Sequence, residues 1–196
     1  MVKKICLMMA EITSVAVDAM INPAHASLKP GSGLCGVMHK KGGVQMTDAC
    51  AVIYKEKGIF TEGSATTTEA GKLPAHHVIH AITPIWFDGE KNEDEKLYQT
   101  YVAIFQQAEK FNAGVISIPA LATGIHRFPK ERAARIAIQA MLDCLPNQRL
   151  PHTVLVINMD KESSHAYAKA FTEQHKKAES FDVELVNFLP MLSNCS

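Results

Sequence analysis

No apolar run in this chain approaches the roughly 20 residues that a transmembrane helix requires. The N-terminal "MVKKICLMMAEIT" has two lysines and a short apolar run, but the run stops at Glu11 with no small-x-small cleavage site after it, so it reads as a first β-strand rather than a signal peptide. Charge of either sign is not in excess: Lys+Arg and Asp+Glu both number 20. That balance argues against a partner bound through nucleic-acid phosphates, which calls for a basic surface. The cysteines are Cys6, Cys35, Cys50, Cys144 and Cys195, an odd number at long spacings with no CxxC, so a disulfide framework is not expected. Together these absences suggest a soluble cytoplasmic protein. There is no internal repeat, no low-complexity segment, no P-loop and no G-x-G-x-x-G.

What is present fits one folded domain spanning 1–196, with 47% hydrophobic and 20% charged residues. Strand-like and helical segments alternate. "ICLMMAEI" and "VDAMIN" read as strands. Residues 34–41 read as a short helix, and "TDACAVIYKEKG" as another with Thr47 as N-cap and Gly58 as its stop. "GSATTTEAG" and "HHVIHAITP" suit strands. In "GEKNEDEKLYQTYVAIFQQAEKFN", Leu97, Tyr98, Tyr101, Val102, Phe105 and Ala108 recur at helical steps behind an acidic start. "GVISIPAL" and "HTVLVINM" are continuous apolar strands. "PKERAARIAIQAMLDCL" reads as a helix with Pro129 at its first position, and the helix after Asp160 has that aspartate as its cap. "FDVELVNFL" suits a last strand. Apolar strands alternating with helices imply an α/β domain with a largely parallel sheet.

In such sheets ligands sit beyond the carboxyl ends of the strands. Two loops leaving strands in that direction carry the residues of interest. "NPAHASLKPGSGLCG" places Gly31, Ser32 and Gly33 just before a helix, and "PALATGIHRFP" places Ala122, Thr123 and Gly124 before another. Small residues let backbone N–H groups approach an anion, and a helix N-terminus adds a favourable dipole, so the pair could grip a diphosphate from both sides. The plainer reading of either loop alone is a structural turn.

The order and spacing of four segments resemble the macro domain family. "AEITSVAVDAMINPAHASL" is similar to the family's Gly-Asp-Ile-Thr followed by Val-Asp-Ala-Ile-Val-Asn-Ala-Ala-Asn. "PGSGLCGVMHKKGG" is similar to its glycine run with Val-Asp-Gly-Ala-Ile-His. "EGSATTTEAGKLPAHHVIHAITP" and "ISIPALATGIHRFPKERAA" are similar to its Gly-Glu-Ala to Val-Ile-His stretch and its Pro-Ala-Ile-Ser-Thr-Gly loop. The resemblance implies a three-layer α/β/α fold around a mixed, largely parallel sheet. It implies a site for ADP-ribose or a related nucleotide diphosphate, free or carried by an ADP-ribosylated protein, with no cofactor and no metal.

The resemblance also implies roles. Glu11, beside Ile12, would accept from the adenine amino group. Gly31, Ser32, Gly33, Leu34, Cys35 and Gly36 would hold the diphosphate and distal ribose. Ala122, Thr123, Gly124 and Ile125 would donate to the diphosphate, with His126 over the distal ribose and Met159 over the adenine. Asn22 matches the first asparagine of the family motif, where a turn-stabilising role competes with a binding one. The chain departs from the family at two positions prominent in ADP-ribosyl hydrolases: His25 replaces an asparagine and Cys35 an aspartate. Catalysis, whether as hydrolase or O-acetyl-ADP-ribose deacetylase, would therefore rest on His25 and Cys35. Cys35 and His39 lie four residues apart and could form a nucleophile and base, or with His25 a zinc site. Lys29 and Pro30 replace smaller residues and could obstruct the cleft.

Overall fold

The structure, a computed structural model, describes residues 2–180 and 183–187. Cys195 lies outside them. The described residues form seven strands and four α-helices: β1 Lys3–Met9, β2 Val17–Pro23, α1 Gly33–Lys57, β3 Ala65–Glu69, β4 Ala75–Ala81, α2 Glu93–Lys110, β5 Val115–Ile118, α3 Lys130–Cys144, β6 Thr153–Asn158, α4 Lys161–Ser180 and β7 Val183–Asn187. The strands form one sheet in the order β3-β4-β2-β5-β6-β1-β7. All neighbours are parallel except β3, which runs antiparallel to β4.

Alternation along the strands feeds two helical layers. Ile5, Leu7, Ile21, Ile79, Ile116 and Val156 face a core shared with Leu97, Tyr101 and Phe105 of α2, Ala134 and Ile138 of α3, and Tyr167 of α4. Met20, Val78 and Ile157 face the other way, onto Met38 and Met46 of α1. The fold is thus the expected α/β/α sandwich, and because six strands are parallel their carboxyl ends share one edge. β2 and β5 are neighbours in the sheet, so the loops that follow them are neighbours too.

Local expectations hold with two adjustments. Asp160 caps α4, its carboxylate accepting the Ser163 N–H at 2.8 Å. Pro129 stands at the cap of α3 rather than inside its first turn. Thr47 is not an N-cap: α1 breaks at Gly43, whose φ of 79° and ψ of −168° suit glycine, and the helix resumes before Thr47. The Thr47 hydroxyl instead donates to the Gly43 carbonyl at 3.2 Å. Among the described residues no helix is long and apolar enough to cross a membrane.

Candidate functional site

The loop after β2 and the loop after β5 face each other across a cavity of about 460 Å³. Its walls are Pro23, Ala24 and His25 at the end of β2, Gly31 to Cys35 at the start of α1, Thr83, and Ala120, Ala122 and Gly124 to His126. A volume of this size suits a small-molecule ligand.

The first loop is held by a close approach that requires glycine. A Cβ on Gly36 would meet the Gly31 carbonyl oxygen at 2.4 Å, so the loop folds down onto the first turn of α1 only because position 36 has no side chain. Ser32 occupies the N-cap in an extended conformation, and its hydroxyl makes no capping bond. The N–H groups of Gly31, Ser32 and Gly33 make no backbone hydrogen bond among the described residues. They are therefore open to an anion at the positive end of the helix dipole.

The second loop is a tight turn. Arg127 N–H donates to the Gly124 carbonyl at 2.9 Å and Phe128 N–H to the Ala122 carbonyl at 3.1 Å, with Ala122 at φ 64°. The N–H groups of Thr123 to His126 are again not donated to other backbone groups among the described residues. Gly124 has open space where a Cβ would stand. Asn158, at the end of β6, anchors the loop's start by accepting the Ala120 N–H at 3.1 Å. The His126 ring lies with Nδ1 3.1 Å from the Pro84 carbonyl and 2.9 Å from Thr83 Oγ1. A carbonyl only accepts, so Nδ1 carries the proton in this bond and Nε2 is left as an acceptor.

Beneath the first loop is a buried polar chain. Asn22 and His80 are both fully buried. Asn22 Nδ2 lies 3.1 Å from His80 Nδ1 and 3.8 Å from Cys35 Sγ. On the far side of the ring, His80 Nε2 lies 2.9 Å from Thr68 Oγ1 and 3.5 Å from Cys50 Sγ. Burial, with a smaller contribution from His39, pushes the His80 imidazole down to about 3, so it stays neutral. Burial likewise pushes the Cys50 thiol up to about 12.

The expected site residues separate into three groups. His25, Gly31 to Cys35, Ala122, Gly124, Ile125 and His126 come together around the cavity, with Gly36 and Thr123 in the loops behind it. Asn22 lies under Cys35 and does not reach the cavity surface. Glu11, Ile12 and Met159 lie at the same sheet edge but outside the cavity, where β1 and β6 end side by side with Met9 opposite Asn158. Ile12 is buried and Met159 exposed. Glu11 forms an ion pair with Lys41 that lowers its carboxyl below the usual range, with a further bond from Thr13 at 2.7 Å. Thr83 and Ala120 line the cavity without having been singled out. Both follow carboxyl ends of parallel strands, and that position is the signal that could have found them.

The pairings of Cys35 with histidine are not formed. His39 Nδ1 sits 3.1 Å from Thr47 Oγ1 across the kink. His25 Nδ1 sits 2.7 Å from Ser27 Oγ. Cys35 Sγ has only long contacts, to Asn22 and to the Lys29 carbonyl at 3.9 Å. Among the described residues no group of three His, Cys, Asp or Glu could hold a metal ion. Cys6, Cys35, Cys50 and Cys144 are free and buried. Lys29 does not obstruct the cleft: its ammonium lies 6.0 Å from the Tyr54 ring, and neither Lys29 nor Pro30 lines the cavity. Among the described residues no carboxylate lines the cavity either, and the titratable side chains that do are His25, Cys35 and His126.

The macro domain family model matches residues 21–137. The O-acetyl-ADP-ribose deacetylase of Escherichia fergusonii is 35% identical over 174 residues, 89% of this chain and 98% of that protein. The protein of the same name from Escherichia coli K12 is 33% identical over 171 residues, 87% of this chain and 97% of that one. Among solved structures, a mutant Oceanobacillus iheyensis macrodomain with ADPR superposes with a TM-score of 0.81 at 24% identity, covering 88% of this chain and 92% of that one. The Trypanosoma brucei macrodomain in complex with ADP-ribose gives 0.76 at 23% identity, covering 84% and 68%.

Proposed function

This chain belongs to the macro domain family, and from that premise we propose that its cleft binds ADP-ribose, free or attached to a protein. The observation that carries the reading is the pair of facing loops, Gly31 to Cys35 and Ala122 to His126, which line one cavity and in which the N–H groups of Gly31 to Gly33 and of Thr123 to His126 make no backbone hydrogen bond among the described residues. A diphosphate between them would receive backbone donors from both sides at two helix N-terminal approaches. The distal ribose would lie toward His25, Cys35 and His126, and the adenine toward Ile12, Glu11 and Met159.

A second reading, hydrolysis of an ester on the distal ribose or of mono-ADP-ribose from an acidic side chain, is favoured by the name that the near-full-length relatives carry. In this chain the chemistry would fall to groups other than a carboxylate. His25, Cys35 and His126 are the cavity's proton-exchanging side chains. An imidazole Nε2 is the acceptor best suited to activating water there, since a neutral thiol is a poor general base.

Titration calorimetry with ADP-ribose and AMP tests the binding reading. AMP cannot reach the second loop or the distal-ribose wall, so ADP-ribose is expected to bind about tenfold or more tightly, tenfold corresponding to roughly 1.4 kcal/mol of added contact. Equal affinities would overturn the two-loop arrangement.

A further inference from the structure

We propose that His25 and His126 form a complementary pair of imidazoles, His126 offering a proton acceptor and His25 a donor, that together hydrolyse an O-acyl ester carried by the ligand between the two loops. This rests on the ester-hydrolysis reading of the cleft and adds which residues do the work and the task of each.

The hydrogen bonds fix opposite tautomers on the two rings. Ser27 N–H donates to His25 Nδ1 at 3.2 Å, and Ser27 Oγ lies 2.7 Å from the same nitrogen. A backbone N–H only donates, so His25 Nδ1 accepts and the ring proton sits on Nε2. His126 is the reverse. Its Nδ1 lies 3.1 Å from the Pro84 carbonyl and 2.9 Å from Thr83 Oγ1, so Nδ1 carries the proton and Nε2 has the free lone pair. Among the described residues neither Nε2 has a hydrogen-bond partner. His25 is exposed, His126 is partly exposed, and both line the cavity, so the two free nitrogens are available to a ligand.

Sheet register sets the two rings on one side of the cleft. β2 and β4 are parallel neighbours with Pro23 opposite Ala81. The pairing runs one residue further, because Ala24 N–H donates to the Ala81 carbonyl at 2.9 Å. His25 follows Ala24 directly, and Thr83 and Pro84, the anchors of His126, follow Ala81 by two and three residues. The ends of β2 and β4 therefore carry His25 and the support of His126 to the same cavity.

One acceptor and one donor are what ester hydrolysis asks for. His126 Nε2 takes a proton from water as the water oxygen bonds to the acyl carbon, and the carbonyl electron pair moves onto its own oxygen. His25 Nε2–H donates a hydrogen bond to that oxyanion and keeps its proton. The tetrahedral intermediate then collapses. The bond from the acyl carbon to the alcohol oxygen breaks, and the proton on His126 passes to the leaving oxygen. Ester and water become carboxylic acid and alcohol, and both rings return to their starting tautomers. Cys35 lines the same cavity, but a neutral thiol is the poorer base.

Deacetylation of O-acetyl-ADP-ribose tests the pair, with ADP-ribose affinity measured by calorimetry on the same samples to show that each variant is folded. His126→Gln, which has no basic nitrogen, should lower kcat about a hundredfold or more while ADP-ribose affinity stays within about threefold. Free imidazole should restore turnover to His126→Ala, which leaves room for it. His25→Ala should lower kcat about tenfold to a hundredfold, and His25→Asn, whose amide still donates, should recover part of that loss. A His126→Gln variant as active as wild type, or a His126→Ala variant that binds ADP-ribose and gains nothing from imidazole, overturns the pair and leaves the ester-hydrolysis reading standing. A wild type that binds ADP-ribose and leaves the ester uncut overturns both.

Discussion

Asn22 donates its side-chain amide to His80 Nδ1 at 3.1 Å, a bond sealed from solvent that ties the end of β2 to its sheet neighbour β4. The same amide nitrogen lies 3.8 Å from the Cys35 sulfur at the start of α1. The floor of the binding loop is therefore coupled to a neutral imidazole on the neighbouring strand, β4. Because Asn22 occupies that bond, Nδ1 acts as acceptor and Nε2 as donor to Thr68.

That arrangement makes stability depend on pH in a stated direction. The His80 pKa is pushed by burial from an ordinary 6.5 to about 3. The unfolded chain therefore takes up this proton first as pH falls. The stability associated with His80 is fully present above the unfolded value and drains away between there and the folded one. By pH 5 the loss from this group should be about 2 kcal/mol. Urea midpoints at pH 7, 6 and 5 should fall in wild type. His80→Gln, though less stable throughout because it disturbs buried partners, should flatten that dependence. An unchanged slope in the variant would assign the acid sensitivity to other groups.

Gly124→Glu is expected to abolish ADP-ribose binding while the protein stays folded. A Cβ at Gly124 meets nothing within 4 Å, so the substitution strains no packing. It sets a carboxylate in the space between the two loops, where a diphosphate would be repelled. Circular dichroism and calorimetry on the same sample separate the two effects. Undiminished binding by the folded variant would place the diphosphate elsewhere.

Cleavage of mono-ADP-ribose from an acidic side chain should be slow or absent in wild type, since among the described residues no carboxylate lines the cavity. The double change His25→Asn with Cys35→Asp supplies the amide and the carboxylate together. The Asn22 amide, already beside position 35, can donate to the new aspartate. Hydrolysis followed by release of ADP-ribose should rise, with affinity held within a few-fold because backbone donors carry the diphosphate. A double variant that binds normally and stays inactive would place the missing chemistry elsewhere. A brisk wild-type rate lost in Cys35→Ala and blocked by thiol reagents would make the cysteine a nucleophile.

The residues alone determined the layered fold and both loops. Alternating apolar runs such as "VISI" and the three-four spacing of Leu97, Tyr101 and Phe105 are local signals that survive into the structure. So is the cap at Asp160, whose partner is three residues away. Glycines before a helix mark an anion site because what they expose is their own backbone. The tertiary structure decided which side chains meet. Spacing on one helix face would pair Cys35 with His39, but the kink at Gly43 turns Thr47 onto that imidazole. Asn22 could have pointed to a ligand or inward, and its neighbour across the sheet, His80, drew it inward. Glu11 and Lys41 are 30 residues apart, and nothing local joins them until the strand end and the helix pack together. Contacts of that kind depend on distances between elements, which periodicity and capping along a single chain do not encode.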